Sequence, residues 1–250
     1  PFNLAMRRIG ASIDSLTYLG EFTQRAIARS LSKVSAQKMV KIAPGIDIDR
    51  FCPQDSSQLR KDLKLDNKRV IVSVGRLVHR KGQDHLIQSM PEILKSVPNA
   101  HILMVGQGPY LSHLKKLVQD LNLVDHVSFI GRIQYTQLPQ YICAGDVFVM
   151  PSRSRFFGLE VEGLGIVYLE ASACGLPVIA GSSGGAPDAV VDGVTGIVVD
   201  GENNQEIAHA VITLLSDLEQ AKKIGTAGRD WIVKNWRWEI WSQRFNELLH

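Results

Sequence analysis

Short apolar runs recur along most of the chain, each separated from the next by a longer stretch of mixed polarity. These runs are rich in Val, Ile, Leu and Met, and none of them alternates strictly between apolar and polar residues. Continuous apolar runs are typical of strands that are buried on both faces of a parallel sheet. Six strands are predicted on this basis, at residues 70–74, 101–105, 127–130, 147–150, 178–180 and 196–199.

The stretches between these strands show helical periodicity. Residues 82–97 place their apolar side chains on one helical face, and Pro91 within them is expected to kink that helix or to mark its beginning. Further helices are predicted from Pro109 to about residue 121 and at residues 137–143 and 166–174, and three helical stretches close the chain. Strands alternating with amphipathic helices predict an α/β fold with a doubly wound, Rossmann-like parallel sheet, which binds ligands at the carboxyl ends of its strands.

The first 45 residues follow a different pattern. A strand at 16–19, a helix at 21–31 and a strand at 39–43 precede the turn dipeptide Pro44-Gly45. This pattern is typical of the end of a βαβ domain, and the chain opens at Pro1 directly in a helical pattern, so we interpret it as part of a longer protein. The predicted organisation is an incomplete N-terminal Rossmann-like domain at 1–45, a C-terminal Rossmann-like domain at 46–234, and a helix at 235–250. That helix either packs locally or crosses back to the N-terminal domain.

Composition narrows the class of protein. The chain has 250 residues and a net charge of +3, which is too small to argue for nucleic-acid binding. Its three cysteines form no paired motif, which suits a reducing, cytoplasmic compartment. No apolar run reaches the ~20 residues that span a bilayer. Residues 1–41 hold seven Arg and Lys against two acidic residues; a solvated helix face is the favoured explanation, and an anionic membrane surface, such as the inner face of the plasma membrane, is the alternative.

A basic cluster follows the first predicted strand of the large domain. Residues 75–82 contain Arg76, Arg80 and Lys81 beside His79, in a loop between a strand end and a helix start. A helix N-terminus favours anions, while arginine offers a bidentate fork and lysine a point charge. The cluster therefore predicts a diphosphate site, with a solvated basic loop as the alternative.

A second cluster combines glycines with two glutamates. Gly165 opens a predicted helix whose first amides, at Ile166 and Val167, are free to face an anion. Glu162 lies just before this helix and Glu170 within it. We expect Glu170 to accept hydrogen bonds from ribose hydroxyls and Glu162 to hold sugar hydroxyls, although two such glutamates are a weak signal alone.

Two other glycine-rich turns carry less weight. Residues 106–111 begin like a dinucleotide fingerprint, but Leu111 occupies the position of the third glycine and no acidic residue closes the next strand. NAD(P) binding is therefore rejected, and this turn is either the edge of a nucleotide pocket or a tight loop. The Ser182–Asp188 turn is as consistent with a tight connection as with a ligand role. The histidines show no paired spacing, so no metal site is predicted.

Together these motifs resemble the retaining GT-B glycosyltransferases of family 4. The resemblance rests on Glu162 and Glu170 with the segment that follows them, on the Gly184-Gly185 turn, and on residues 74–82 upstream; it runs from about Pro44 to the C-terminus. Residues 156–165 are most similar to actinobacterial GDP-mannose-dependent phosphatidylinositol mannosyltransferases. The large domain would then be the C-terminal half of a GT-B fold.

The resemblance implies roles for specific residues. It implies diphosphate contacts and catalytic roles for Arg76 and Lys81, a catalytic role for Glu162 at the donor sugar, and ribose binding by Glu170. The remaining donor contacts that it implies are Arg132 and Ile133 near the base and the backbone of Gly165, Ile166 and Val167. Asp188 departs from the glutamate of many relatives, which leaves its role open.

The implied reaction is retaining transfer of mannose from GDP-mannose to a phosphatidylinositol mannoside-type glycolipid, with no metal or other cofactor. The acceptor would bind through the N-terminal domain, whose glycine-rich loop and histidine are not located in this chain. The 250 residues alone are therefore expected to bind donor without transferring sugar. The alternatives are another GT-B enzyme that uses a UDP- or ADP-sugar, an epimerase of that fold, and a non-catalytic nucleotide-sugar-binding module.

Overall fold

A six-stranded parallel sheet forms the centre of the large domain. The computed structural model describes residues 2–250, without the side chains of Phe2 and Phe157. The strands are β1 (Leu16–Tyr18), β2 (Met39–Lys41), β3 (Arg69–Val74), β4 (Ala100–Val105), β5 (Val127–Gly131), β6 (Val147–Met150), β7 (Val178–Gly181) and β8 (Gly196–Val199). The helices are α1 (Phe2–Ser12), α2 (Glu21–Ala28), α3 (Lys33–Ala36), α4 (Ser57–Asp62), α5 (Gln83–Ser96), α6 (Leu111–Asp120), α7 (Leu138–Cys143), α8 (Ile166–Ala173), α9 (Asn204–Ser216), α10 (Leu218–Asn235) and α11 (Trp238–Leu249).

The sheet has the strand order β5-β4-β3-β6-β7-β8, and every neighbouring pair is parallel. The chain winds outward from β3 in one direction and then returns to place β6 on the other side of β3. Loops that leave the carboxyl ends of β3 and β6 therefore diverge, and ligands of doubly wound proteins bind in the crevice between them. The predicted doubly wound fold is confirmed.

Successive residues of the strands point into two different cores. Val70 and Val72 pack on one face of the sheet with α8 and α10, whereas Ile71 packs on the other with α5 and α9. Both faces are thus covered by helices, which explains why the strand sequences are mostly apolar.

Pro91 does not mark a helix start. Helix α5 runs through it from Gln83 to Ser96, with Leu86, Met90 and Ile93 fully buried. Burial of this apolar face outweighs the backbone hydrogen bond that a proline cannot donate. The short helix α4 was not among the helices predicted from the sequence.

Residues 2–41 form a smaller unit in which β1 and β2 pair in parallel. The end of the chain returns to the junction that follows it. The Ile46 N–H donates to the Trp236 carbonyl at 2.7 Å, and Gly45 lies so close to the Trp238 backbone that a Cβ there would collide with it. Helix α11 buries Trp241 against Trp236. The terminal helix therefore packs on the junction, and the predicted domain boundaries remain predictions. Within residues 2–250, every helix is too short or too polar to cross a membrane.

Candidate functional site

A cavity of about 590 Å³ opens at the carboxyl ends of β3 and β6. Its walls combine apolar side chains, such as Val74 and Leu164, with the buried polar residues Lys81, Glu162 and Glu170. Leu19 and Pro44, from the N-terminal part of the chain, complete one side. A mainly apolar cleft with a few convergent polar groups is typical of a small-molecule site, and its size suits one.

The last three basic residues of the cluster form a single turn of 3₁₀-helix, His79–Lys81, between β3 and α5. Gly82 ends this turn with a φ of 71°, and a Cβ at Gly82 would collide with the Pro151 carbonyl. Glycine is therefore required to bring the turn against the end of β6. This close approach places Lys81 at the cavity wall.

Lys81 forms a buried ion pair with Glu162. The Lys81 ammonium donates to Glu162 Oε2 at 2.5 Å, and Arg80 Nη1 donates to the same oxygen at 2.9 Å. Lys81 is 8% exposed and Glu162 7%. Burial lowers the pKa of Lys81 from its ordinary value, and the Glu162 carboxylate opposes that shift. Arg80 also lies 3.9 Å from Glu160, so Lys81 is the cation that this group of charges presents at the cavity wall.

Backbone contacts fix the position of Glu162. Its N–H donates to the Ser183 hydroxyl at 3.3 Å, and its carbonyl accepts from the Gly185 N–H at 2.7 Å. A Cβ at Gly185 would collide with the Gly163 carbonyl. The Ser182–Asp188 turn therefore supports Glu162 from behind, a role that its sequence did not predict.

A second buried ion pair anchors the basic turn. Arg153, just after β6, donates two hydrogen bonds to Asp84 in the first turn of α5, at 2.9 and 2.8 Å. Its backbone N–H donates to the Arg80 carbonyl at 2.8 Å. The guanidinium also contacts the His79 ring, whose pKa is lowered by burial and by Arg153. Arg153 thus ties the turn to the end of β6 and to the start of α5.

The start of α8 faces the cavity. Gly165 caps the helix with a φ of 78°, and Gly165, Ile166 and Val167 all line the cavity wall. Among the described residues, none accepts a hydrogen bond from the N–H of Ile166 or Val167. Unpaired amides at a helix start carry a partial positive charge, so this wall favours an anion.

Glu170 lies farther along α8 and has a neutral partner. It is 6% exposed, and its Oε1 accepts a hydrogen bond from the Tyr135 hydroxyl at 2.9 Å. Burial raises the pKa of Glu170 above its ordinary value, and the hydrogen bond from Tyr135 opposes that shift. Burial, and to a smaller extent the charge of Glu170, raises the pKa of Tyr135 to about 12. The carboxylate retains acceptor capacity toward a ligand hydroxyl.

A smaller cavity of about 250 Å³ adjoins the first. Both are lined by Val74, Gly75, Tyr135 and Leu138, and the smaller one extends to Arg132, Ile133 and Gly106. Arg132 and Ile133, the predicted base-binding residues, therefore line the second cavity, whereas Glu170 lines the first. The turn at Gly106 forms an edge of the second cavity. Their roles stay predictions.

Two residues of the sequence analysis lie outside the cavity wall. Arg76 is exposed and does not line either cavity, although its neighbour Gly75 lines both. Its diphosphate contact stays a prediction. Asp188 accepts a hydrogen bond from the Phe22 N–H at 3.0 Å and so caps α2 of the N-terminal unit. Asp188, which stands where many relatives have glutamate, thus has a structural role in this chain.

Tyr135 was missing from the predicted site, and the ion pair of Arg80 with Glu162 was not predicted. Arg80 lies within the basic cluster, so its residue type was visible, but its approach to Glu162 depends on a contact between loops that are 82 residues apart. Tyr135 follows β5, and no spacing rule links it to Glu170. No group of three or more His, Cys, Asp or Glu residues in the described part of the chain is arranged to hold a metal ion.

Residues 55–231 match the model of the family described as glycosyl transferases group 1, and the chain belongs to this family. A curated relative is the GDP-mannose-dependent alpha-(1-6)-phosphatidylinositol monomannoside mannosyltransferase of Mycolicibacterium smegmatis. It is 45% identical over 98% of this chain and 64% of the relative. The chain thus spans slightly less than two thirds of that relative's length.

Solved structures agree with the family. Anabaena HepE in complex with UDP superposes with a TM-score of 0.89 at 25% identity, over 99% of this chain and 66% of the HepE chain. The C-terminal domain of LpcC, a glycosyl transferase group 1 family protein from Francisella tularensis, superposes with a TM-score of 0.66 at 27% identity. That match covers 77% of this chain and 99% of the LpcC domain. The neighbours support the GT-B fold, of which this chain covers a part.

Proposed function

We propose that this chain is the donor-binding part of a retaining mannosyltransferase that transfers mannose from GDP-mannose to a phosphatidylinositol mannoside-type glycolipid. The proposal rests on two adjoining cavities whose walls offer three chemically different surfaces in sequence. A cationic wall at Lys81, whose partner Glu162 also accepts from Arg80, adjoins the open start of α8; a buried carboxylate lies at Glu170, and a second pocket begins at Ile133. This order suits a diphosphate, a ribose and a base.

The names of relatives support the choice of sugar and acceptor. The mycobacterial relative at 45% identity is named for GDP-mannose and for a phosphatidylinositol monomannoside. A Corynebacterium glutamicum relative named for the same donor and a monoacylated form of that acceptor is 42% identical over 98% of this chain. A reaction at the membrane surface by a peripherally bound, cytoplasmic enzyme follows from such an acceptor and belongs to the proposal.

In the proposed reaction, the bond between the anomeric carbon and the donor phosphate oxygen breaks. A bond to an acceptor hydroxyl oxygen forms on the same face of the sugar, and the hydroxyl proton leaves with the departing diphosphate. Negative charge on the diphosphate would be stabilised by Lys81, Arg80, Arg76 and the amides at Ile166 and Val167. One preorganised donor of this kind contributes about 3–4 kcal/mol to lowering a barrier. Side-chain cations would serve in place of a metal ion.

Titration calorimetry of the 250-residue chain tests the donor site. We expect GDP to bind more tightly than UDP or ADP, and GDP-mannose to bind more tightly than GDP-glucose. Affinity for GDP should be the same in EDTA as in Mg²⁺. Preference for UDP or ADP would exclude the GDP assignment, and loss of binding in EDTA would exclude a metal-free site.

Transfer is tested with the chain joined to the complete N-terminal domain. We expect mannose to be transferred from GDP-mannose to a phosphatidylinositol mannoside, with the α-anomer of the donor preserved in the product by NMR. An inverted product would contradict retention. Epimerised nucleotide sugar without acceptor glycosylation would favour the epimerase alternative.

A further inference from the structure

A third cavity, of about 380 Å³, lies next to the donor cavity. It is enclosed by α2 of the N-terminal unit and by the segment between β6 and α8. Val161 lines this third cavity and the following residue, Glu162, lines the donor cavity. A ligand bound here would therefore lie close to the sugar end of the proposed donor.

The α2 side of this cavity is cationic. Arg25 and Arg29 lie one helical turn apart, and both line the cavity. Ser154 lines the cavity from the segment that follows β6. Within residues 2–250, no carboxylate lies within ion-pairing distance of either guanidinium. Glu21, the acidic residue of α2, pairs with Lys41 instead. Two unpaired guanidinium groups in one concave site suit a phosphate group, because arginine offers forked donors to its oxygens.

An apolar loop tip borders the same cavity. The backbones of Arg155 and Glu160 pair with each other, and the loop between them leaves Phe156 61% exposed and Leu159 88% exposed. Phe156 has a φ of 51°, a conformation that costs a bulky residue free energy. A strained loop that displays two large apolar side chains beside a cationic cavity matches an anionic lipid, with an apolar part beside a charged headgroup.

We propose that this Arg25/Arg29 cavity binds the phosphate of an inositol phospholipid headgroup, with Phe156 and Leu159 against the lipid chains. This assigns the acceptor side of the reaction and rests on the proposed function. Arg25 and Arg29 contact the phosphate, and the headgroup ring extends toward Glu162. The site recognises a phosphodiester, which a membrane lipid and soluble glycerophosphoinositol both contain.

The test measures sedimentation of the 250-residue chain with phosphatidylcholine vesicles that contain phosphatidylinositol. The variant is Arg25→Gln with Arg29→Gln. The matched control is Arg7→Gln with Arg8→Gln, which removes the same charge from two exposed arginines of α1. Because each guanidinium would give up a charge-assisted hydrogen bond to the phosphate, we expect the variant to bind at least ~10-fold more weakly and the control to remain within about threefold of the wild type.

Three further measurements separate the sources of binding. Phosphatidylserine vesicles of the same charge should bind more weakly than phosphatidylinositol vesicles. Glycerophosphoinositol should compete for the site, and Leu159→Ser should weaken vesicle binding without changing the affinity for glycerophosphoinositol. Equal losses in the variant and the control, or equal binding of both lipids, would overturn the proposal in favour of diffuse surface charge.

GDP titration of the same proteins distinguishes this inference from the proposed function. Tight GDP binding with no effect of the Arg25/Arg29 double substitution on lipid binding would overturn the lipid site alone. Absence of GDP binding in the wild type would overturn the proposed function.

Discussion

Glu162 and Glu170 lie eight residues apart and are equally buried, yet their surroundings differ. Glu162 accepts from two cations, whereas the hydrogen-bonding partner of Glu170 is the neutral phenol of Tyr135. An ion pair compensates the cost of burying the first charge, while the second remains uncompensated and its pKa rises. One carboxylate therefore holds cations in place, and the other is left to accept hydrogen bonds from a ligand. Burial alone does not distinguish these tasks.

The largest effect is expected at the cationic end. Lys81→Met should weaken GDP binding by roughly 10- to 100-fold, because a charge-assisted hydrogen bond contributes about 1.5–3 kcal/mol. Calorimetry measures this change, and Lys116→Met removes an exposed lysine as the control. Arg80 remains with Glu162, so the carboxylate keeps a partner and the fold should persist. GDP affinity equal to that of the control variant would remove Lys81 from the diphosphate site.

The second largest effect is expected at Glu170, and comparing several ligands distinguishes its role from that of Glu162. Glu170→Gln should weaken GDP binding about tenfold and 2′-deoxy-GDP binding much less, because the charged acceptor would serve the ribose hydroxyls. Pyrophosphate binding should be unchanged. A similar loss for all three ligands would indicate general damage to the cavity instead of a ribose contact.

The free energy of unfolding should depend on pH through Glu170. Its pKa is raised in the folded chain, so the cost of burying its charge is present at high pH and disappears as the pH falls below the ordinary value of 4.5. Relative to Glu170→Gln, the wild type should therefore lose stability as the pH rises through the raised pKa. Chemical denaturation of both proteins across this range measures the difference, and parallel profiles would contradict the uncompensated charge.

The smallest effect is expected at the phenol. Tyr135→Phe removes the 2.9 Å hydrogen bond to Glu170, which should raise the pKa of that carboxyl further. We expect GDP affinity to fall by about two- to fivefold near neutral pH, because Tyr135 acts on GDP only through Glu170 and the charged acceptor itself remains. Calorimetry at two pH values checks this, with a larger loss at the lower pH. Tyr141→Phe, on α7, is the control.

Residue order was enough to predict the large sheet. Each strand from β3 to β8 coincides with a mostly apolar run, because strands buried on both faces need apolar side chains on both. Glycine positions were equally informative. Gly165 precedes a helical pattern in the sequence, which predicted that it opens a helix, and in the structure it begins α8 at a positive φ. Pro91 does not begin a helix, because packing of α5 against the sheet overrides a local backbone preference.

The partners of the buried charges depended on the tertiary structure. Arg80 meets Glu162 across 82 residues, Arg153 meets Asp84 across 69, and Asp188 caps α2 across 166. Local periodicity carries no information about such pairs, because they form between loops that come together only when the sheet orders its strands. Arg76 and Arg80 are alike in residue type and lie in the same loop. Only the folded turn directs one of them to Glu162 and leaves the other exposed.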